Sequence, residues 1–119
     1  MNKKIKKRIG LIHPVRGDGK PGRIDENIRH AIDWQVRMMS DTVEPIVPFL
    51  IVRKTLDDNI PIQRRAGIRI GQEYYQTCHE VHVEYFEQEL SDGMEGDIAY
   101  CRSKGIPLVW ETRKGRKII

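Results

Sequence analysis

The segment SDGMEGDIAY, residues 91–100, joins a helix-start pattern to an acid placed inside the helix. Ser91 is a favoured N-cap, and Gly93 lets the backbone approach a ligand closely. N–H groups at a helix start favour an anion such as a phosphate. Asp97 follows about one and a half turns later, and helical side chains lean toward the N-terminus, so its carboxylate can be aimed back at the same place. The alternative is an ordinary capped helix whose acids complement its dipole.

Further polar residues follow the apolar runs that we predict to be strands. In an open parallel sheet the ligand crevice lies outside the carboxyl ends of the strands, where the strand order reverses. We therefore expect the polar residues that follow successive strands to meet at one edge with the start of the last helix. These residues are His13, Arg16, Asp18, Asp57, Asp58, Glu84, Ser91, Gly93 and Met94.

Short apolar runs and helical patterns alternate along the chain. We predict strands at 8–12, 44–47, 80–85 and 106–110 and helices at 23–40, 61–78 and 91–104. The first helix has a stripe that we expect to lie on the core, formed by Ile24, Ile28, Ala31, Ile32, Val36 and Met39. Strict alternation in EVHVEY places Val81, Val83 and Tyr85 on one face of the third strand. Gly67 and Gly71 permit close helix packing, and Gly105 ends the last helix.

This alternation predicts crossover connections and a mainly parallel sheet. The fold class is therefore α/β, a single-domain three-layer sandwich of flavodoxin-like or Rossmann-like type. The domain spans residues 1–119, with basic tails at about 1–8 and 112–119.

The net charge of +4 is concentrated in those tails. They hold five and four Lys/Arg residues and no acid, which leaves 4 − 9 = −5 for residues 9–111. Nucleic-acid binding by the body is disfavoured, although phosphate contact through the tails and two merely solvated tails both stay open. Two cysteines and no long apolar run favour a cytoplasmic chain that neither spans nor is anchored in a membrane.

Three smaller patterns contain residue types that could carry chemistry. Cys78-His79-x-x-His82 is not expected to bind a metal, because strand alternation turns the histidines apart; surface histidines and a buried cysteine are favoured. Asp57-Asp58 is either a turn pair or a hydroxyl-binding pair. Arg64 and Arg65 oppose the dipole of the second long helix, so one of them is expected to face an anion. Trp34 and Trp110 are expected in the core.

Several short motifs follow one another along the chain in a specific order. They are Pro14 with Arg16-Gly17-Asp18, Asn27 and Ala31; Pro45-Ile46-Val47-Pro48; Leu56-Asp57-Asp58; Arg64 with Gly67-Ile68 and Gly71; Ser91-Asp92-Gly93-Met94 with Asp97-Ile98; and Gly105-Ile106-Pro107. Together, from Gly10 to Glu111, this set resembles the nucleoside 2-deoxyribosyltransferase-like superfamily, in particular its small phage and bacterial members.

The resemblance implies a nucleoside or nucleotide ligand, no cofactor, and a homo-oligomer. In catalytic members a glutamate on the third helix attacks the anomeric carbon and carries a covalent glycosyl intermediate. Asp97 occupies that position here. The residues implied to bind substrate are His13, Pro14, Arg16, Gly17, Asp18, Asn27, Asp57, Asp58, Arg64, Glu84, Ser91, Gly93 and Met94.

The chain departs from that pattern at three positions. Asp97 stands in place of glutamate, which draws the carboxylate back by about 1.5 Å. Phe49 stands where these members usually carry histidine, and His13 where they usually carry serine. Glu95 is offset by about 200° around the helix and is a poor substitute. Two functions therefore stay open: an N-glycosidase or (deoxy)ribosyltransferase, and a non-catalytic protein, possibly phage-encoded, that sequesters a signalling nucleotide.

Overall fold

The structure is a computed structural model that describes residues 6–15, 20–84, 90–112 and 115–118. Strands and helices alternate along most of these residues. Their bounds are β1 (Lys7–Ile12), α1 (Arg23–Met38), β2 (Val43–Ile46), α2 (Pro48–Val52), α3 (Pro61–Tyr75), β3 (Glu80–Glu84), α4 (Asp92–Ser103), β4 (Leu108–Thr112) and β5 (Gly115–Ile118).

The strands form one sheet in the order β2-β1-β3-β4-β5. The first four are parallel, and β5 returns antiparallel beside β4. This confirms the predicted α/β fold with a mainly parallel sheet. The chain moves from β1 to one side to form β2 and then crosses to the other side to form β3, so the strand order reverses at β1 and β3.

Helices cover the sheet from both sides, which gives the predicted three layers. Leu11 and Ile12 are neighbours on β1, and strand alternation sends them to opposite faces. Leu11 belongs to a core cluster with Ala31 and Trp34 of α1. Ile12 belongs to a second cluster with Tyr75 of α3 and with Met94, Ile98 and Cys101 of α4. One face is therefore covered by α1, and the other by α3 and α4.

The predicted core stripe of α1 is correct at Ala31 but wrong at four of its six positions. Ile24, Ile32, Val36 and Met39 are 39%, 43%, 63% and 59% exposed, whereas the buried residues are Asn27, Ala31 and Trp34. The hydrogen bonds of Asn27 and Trp34 explain why these residues are buried. Asn27 Nδ2 donates to the Val15 carbonyl at 2.8 Å, and the Trp34 indole donates to Glu111 at 3.0 Å. A pattern of hydrophobic residues contains no information about such hydrogen bonds.

Two elements were not predicted. The short helix α2 begins at Pro48 and packs on α3, where a Cβ built on Gly67 would lie 3.0 Å from the Val52 side chain. The strand β5 lies within the segment that we predicted to be a basic tail, and Lys7 and Arg8 of the other tail belong to β1. The tails are therefore partly built into the sheet. Weak apolar periodicity hid both elements, because a five-residue helix and an edge strand bury few side chains.

The expectations for three glycines hold, two of them inside α3 and one at the end of α4. Gly67 and Gly71 are buried against α2, and Gly105 adopts a φ of 68°, the left-handed conformation that ends a helix. Among the described residues, no helix has both the length and the apolar composition that crossing a bilayer requires.

Candidate functional site

Asp97 lies where α4 faces α3. Met94, Ile98 and Cys101 form the buried face of α4, and Asp97 is turned aside from that face toward the last turn of α3. There the Gln72 Nε2 atom donates to Asp97 Oδ1 at 3.5 Å, and the Tyr75 hydroxyl lies near the carboxylate. The side chain is only partly buried, so solvent still reaches it. We call this group of three residues the Asp97 cluster.

The pKa of Asp97 is raised from 3.8 to about 6. Desolvation by burial is the main cause, and the hydrogen bonds from Gln72 and Tyr75 partly oppose it by stabilising the carboxylate. At pH 7 the group is therefore about nine-tenths ionised. A carboxylate that is poorly hydrated yet mostly charged is typical of functional sites, where burial and specific donors are combined.

The start of α4 has the predicted cap. Ser91 Oγ accepts from the Met94 N–H at 3.2 Å, and a Cβ built on Gly93 would meet no atom within 4 Å. The first turn also carries Asp92 and Glu95, whose charges complement the helix dipole and oppose an incoming anion. The cap supports the helix, and an anion at this helix start would need a cation from elsewhere.

Asp97 lies below the edge of the sheet rather than on its rim. It lies six positions after Ser91, which corresponds to about 9 Å along the helix axis. Its partners Gln72 and Tyr75 are in the last turn of α3, whereas α3 begins near the carboxyl ends of the strands. A ligand that reaches Asp97 would therefore have to enter between α3 and α4.

At the carboxyl edge itself, His13 and Glu84 join the ends of β1 and β3 on the α1 side. His13 is 2% exposed, and its Nδ1 lies 2.7 Å from the Pro14 carbonyl. Its Nε2 lies 3.4 Å from Glu84 Oε2. Burial lowers the pKa of His13, the hydrogen bond to Pro14 opposes this, and His30 adds to the lowering. His13 and Glu84 thus meet as predicted, but the ring is buried and faces α1.

A groove of about 520 Å³ lies beside Glu84 and α1. It is lined by His30, Asp33, Val36, Arg37 and Glu84. This groove is on the α1 side of the sheet, whereas the Asp97 cluster is on the α3 and α4 side. The predicted site residues therefore divide between two faces that share the carboxyl edge.

The other predicted binding residues fall into three groups. Arg16, Gly17 and Asp18 lie outside the described residues. Asn27 is 8% exposed and its amide holds the Val15 carbonyl, so it anchors the loop after β1. Asp58 and Arg64 are exposed near the start of α3. Asp57 forms the predicted turn, because its Oδ1 accepts from the Asn59 N–H at 2.9 Å; ligand binding by these residues stays a prediction.

One group of interacting polar residues, centred on His82, was not predicted from the sequence. His82 is 2% exposed on the α1 side of β3; its Nε2 lies 3.3 Å from Glu80 Oε2 and its Nδ1 lies 2.9 Å from Glu111 Oε1. Burial raises the pKa of Glu80, but Lys7 and His82 outweigh it and the net pKa is lowered. The E-H-E alternation in EVHVE was a visible signal for this group, since it places three titratable residues on one strand face.

The same group corrects the interpretation of Cys78, His79 and His82. His82 is buried rather than on the surface, and Cys78 is half-buried rather than buried. The Cys78 thiol donates to the Tyr74 carbonyl, and His79 Nδ1 accepts from the Arg8 N–H at 3.0 Å. Within the part of the chain that the structure describes, no three His, Cys, Asp or Glu residues are grouped to hold a metal ion.

Comparison with known proteins gives a family without an assigned activity. None of the curated proteins compared with the chain matches it. A family model described as a domain of unknown function, DUF7768, matches residues 7–111 and thus nearly the whole fold from β1 to β4. The chain therefore belongs to the DUF7768 family.

Proposed function

We propose that this chain acts on the N-glycosidic bond of a nucleoside or nucleotide, as a hydrolase or a (deoxy)ribosyltransferase, with Asp97 as the nucleophile. The observation that carries the proposal is the Asp97 cluster: a partly exposed carboxylate with a raised pKa and two donors between two helices. The ordered motifs that resemble the 2-deoxyribosyltransferase-like superfamily supply the reaction class.

The proposed chemistry needs only the carboxylate, a base and water. The ionised Asp97 attacks the anomeric carbon, and the bond to the base nitrogen breaks with its electron pair on that nitrogen, which takes a proton from solvent. Water or a second base then attacks the same carbon and loses a proton to solvent, while the ester bond breaks and releases the free carboxylate. Gln72 and Tyr75 hold the attacking group in place, and misplacement on the order of 1 Å can cost about 100-fold in rate.

A second function, nucleotide binding without turnover, is favoured by two features. The aspartate carboxylate is about 1.5 Å shorter in reach than the glutamate of the catalytic superfamily members. It also lies about 9 Å along the helix from Ser91, so a ligand held at the rim is far from it. A chain with this geometry can retain a nucleotide at the edge of the sheet and leave it intact.

A phosphate on the ligand depends on a cation, because Asp92 and Glu95 occupy the first turn of α4. We propose Arg16 for this role on the strength of its position after β1 in the sequence. A nucleoside and its 5′-monophosphate should then differ in affinity, and Arg16→Ala should remove that difference. Equal affinity of both ligands for the unmodified chain would restrict the proposal to nucleosides.

The deciding experiment is mass spectrometry after incubation with a panel of nucleosides and nucleotides. Turnover predicts free base in proportion to the protein, and its loss in Asp97→Ala. Glu95→Ala is the matched control, because it removes an exposed acid from the same helix. Intact ligand recovered from the denatured protein, with no free base, supports sequestration. Neither product nor retained ligand across the panel would refute both functions.

Two further properties belong to the proposal. We propose a cytoplasmic protein, since Cys78 and Cys101 are free thiols. We also propose a homo-oligomer, as implied by the superfamily resemblance. Light scattering at micromolar concentration tests the second point, and a mass equal to one chain at all concentrations would contradict it.

A further inference from the structure

Tyr75 reaches Asp97 because β1 has a glycine beneath the aromatic ring. A Cβ built on Gly10 would lie 2.8 Å from Tyr75 Cδ1 and 3.1 Å from Cε1, closer than packed atoms tolerate. The ring is 3% exposed and belongs to the core cluster of α3 and α4. Gly10 therefore lets a tyrosine from α3 pack closely against the sheet with its hydroxyl beside β1.

The Tyr75 hydroxyl has two acceptors and one proton. It donates to the Leu11 carbonyl oxygen at 3.5 Å, and the Asp97 carboxylate lies near enough to raise its pKa. Burial, together with the charge of Asp97, raises the pKa of Tyr75 well above its usual range. The hydroxyl therefore stays protonated near neutral pH. A charged carboxylate is a stronger acceptor than a neutral carbonyl, so the proton favours Asp97 whenever Asp97 is ionised.

We propose that Tyr75 is a positioning residue for Asp97: its hydroxyl, placed by the packing of the ring on Gly10, donates to the carboxylate and fixes both its charge and its orientation. This role rests on the proposed function as far as catalysis is concerned. When a glycosyl group esterifies Asp97, the carboxylate becomes a weaker acceptor and the same hydroxyl is free to turn to the Leu11 carbonyl. Gln72 is a second donor to the carboxylate.

The test is an NMR titration of the ¹³C-labelled Asp97 carboxyl group in the unmodified chain and in Tyr75→Phe. Loss of a donor to the carboxylate should raise its pKa, with an acid dissociation constant about tenfold lower in the variant. Tyr100→Phe is the matched control, because its hydroxyl also lies between α4 and α3 but bonds to Gln76 instead. This control should leave the Asp97 titration unchanged.

Gly10→Ala provides an independent variant, since its methyl group displaces the ring while the hydroxyl is retained. It should shift the Asp97 titration in the same direction as Tyr75→Phe. If Gly10→Ala fails to fold, Tyr75→Phe still decides, because it preserves the ring. A folded Tyr75→Phe variant whose Asp97 carboxyl titrates as in the unmodified chain would overturn the proposal, even if it is less stable.

Turnover gives a second readout that separates this inference from the proposed function. If the chain releases base, Tyr75→Phe should move the acidic limb of the kcat/KM profile to higher pH and lower kcat more than it changes KM. If the unmodified chain releases no base but Tyr75→Phe still shifts the titration, the proposed function fails and the positioning role remains. An unchanged pH profile in an active variant would contradict the inference.

Discussion

The carboxylate of Glu111 bridges two elements on the α1 face of the sheet, because one oxygen lies 2.9 Å from His82 Nδ1 and the other accepts from the Trp34 indole at 3.0 Å. Through it, β4 is joined to β3 and to α1. No single turn or helix brings these residues together, since they are far apart in sequence. Only the sheet order β1-β3-β4 and the crossover of α1 place them at one point.

Glu111→Gln should therefore destabilise the fold. The change removes the charge opposite His82 and leaves one amide group poorly matched, at a cost of about 2 kcal/mol in the free energy of unfolding. Urea denaturation followed by circular dichroism measures it. Glu44→Gln is the control, because Glu44 forms an exposed pair with Arg8 and should cost about 0.5 kcal/mol or less. Equal effects of both variants would show that the Glu111 bridge adds nothing.

Asp97 should lower the stability of the protein at neutral pH. Its pKa is higher in the folded chain, about 6, than its reference value of 3.8, so its contribution is most favourable below pH 3.8 and is lost as the pH rises through 6. The full shift corresponds to about 3 kcal/mol, and partial exposure reduces this to roughly 1–2 kcal/mol. Asp97→Asn should be more stable than the unmodified chain at pH 7.

The comparison at acid pH makes that prediction specific. Near pH 4 most of the gain from Asp97→Asn should vanish, because the aspartic acid is then protonated in the folded state. Urea midpoints of both proteins at pH 4 and pH 7 provide the measurement. Asp92→Asn, an exposed acid in the first turn of α4, should show no gain at pH 7. A loss of stability in Asp97→Asn at pH 7 would mean that the carboxylate is not desolvated.

The Ser91 cap should contribute to the stability of α4. Ser91→Ala removes the acceptor for the Met94 N–H and should cost about 1 kcal/mol. Ser103→Ala is a suitable control at the other end of the same helix, where the hydroxyl donates to the Tyr100 carbonyl. Thermal denaturation compares the two. If Ser91→Ala melts like Ser103→Ala, the cap has no energetic role.

The sequence predicted the sheet because its strands are buried on both sides and alternate with helices. It predicted both ends of α4 because Ser91 and Gly105 act only on neighbouring residues of the same helix. The buried face of α1 was predicted only at Ala31 and Trp34, and the bonds that Asn27 and Trp34 form to partners 12 and 77 residues away were not predicted. Long-range polar bonds of this kind leave no periodic signal.

The candidate site was predicted in part for the same reason. Asp97 was identified from its spacing to Ser91 and from the superfamily resemblance. Gln72, Tyr75 and Gly10 were missed, because their roles depend on the packing of α3 against β1 and α4. His13 was expected on a ligand-facing loop, yet it lies in the interior, where the centroid of its ring is 6.0 Å from that of Trp34. The helix that packs on the sheet decides whether a side chain at the end of a strand is buried or faces a ligand.

The most direct test of the central claim is peptide mass spectrometry of the protein after acid quenching during incubation with a substrate found in the panel. We predict a mass increase equal to the sugar portion of that substrate on the peptide that contains Asp97, and none in Asp97→Asn, whose kcat/KM should fall at least about 1,000-fold. Base release that persists in Asp97→Asn at the unmodified rate would contradict a nucleophilic role for Asp97.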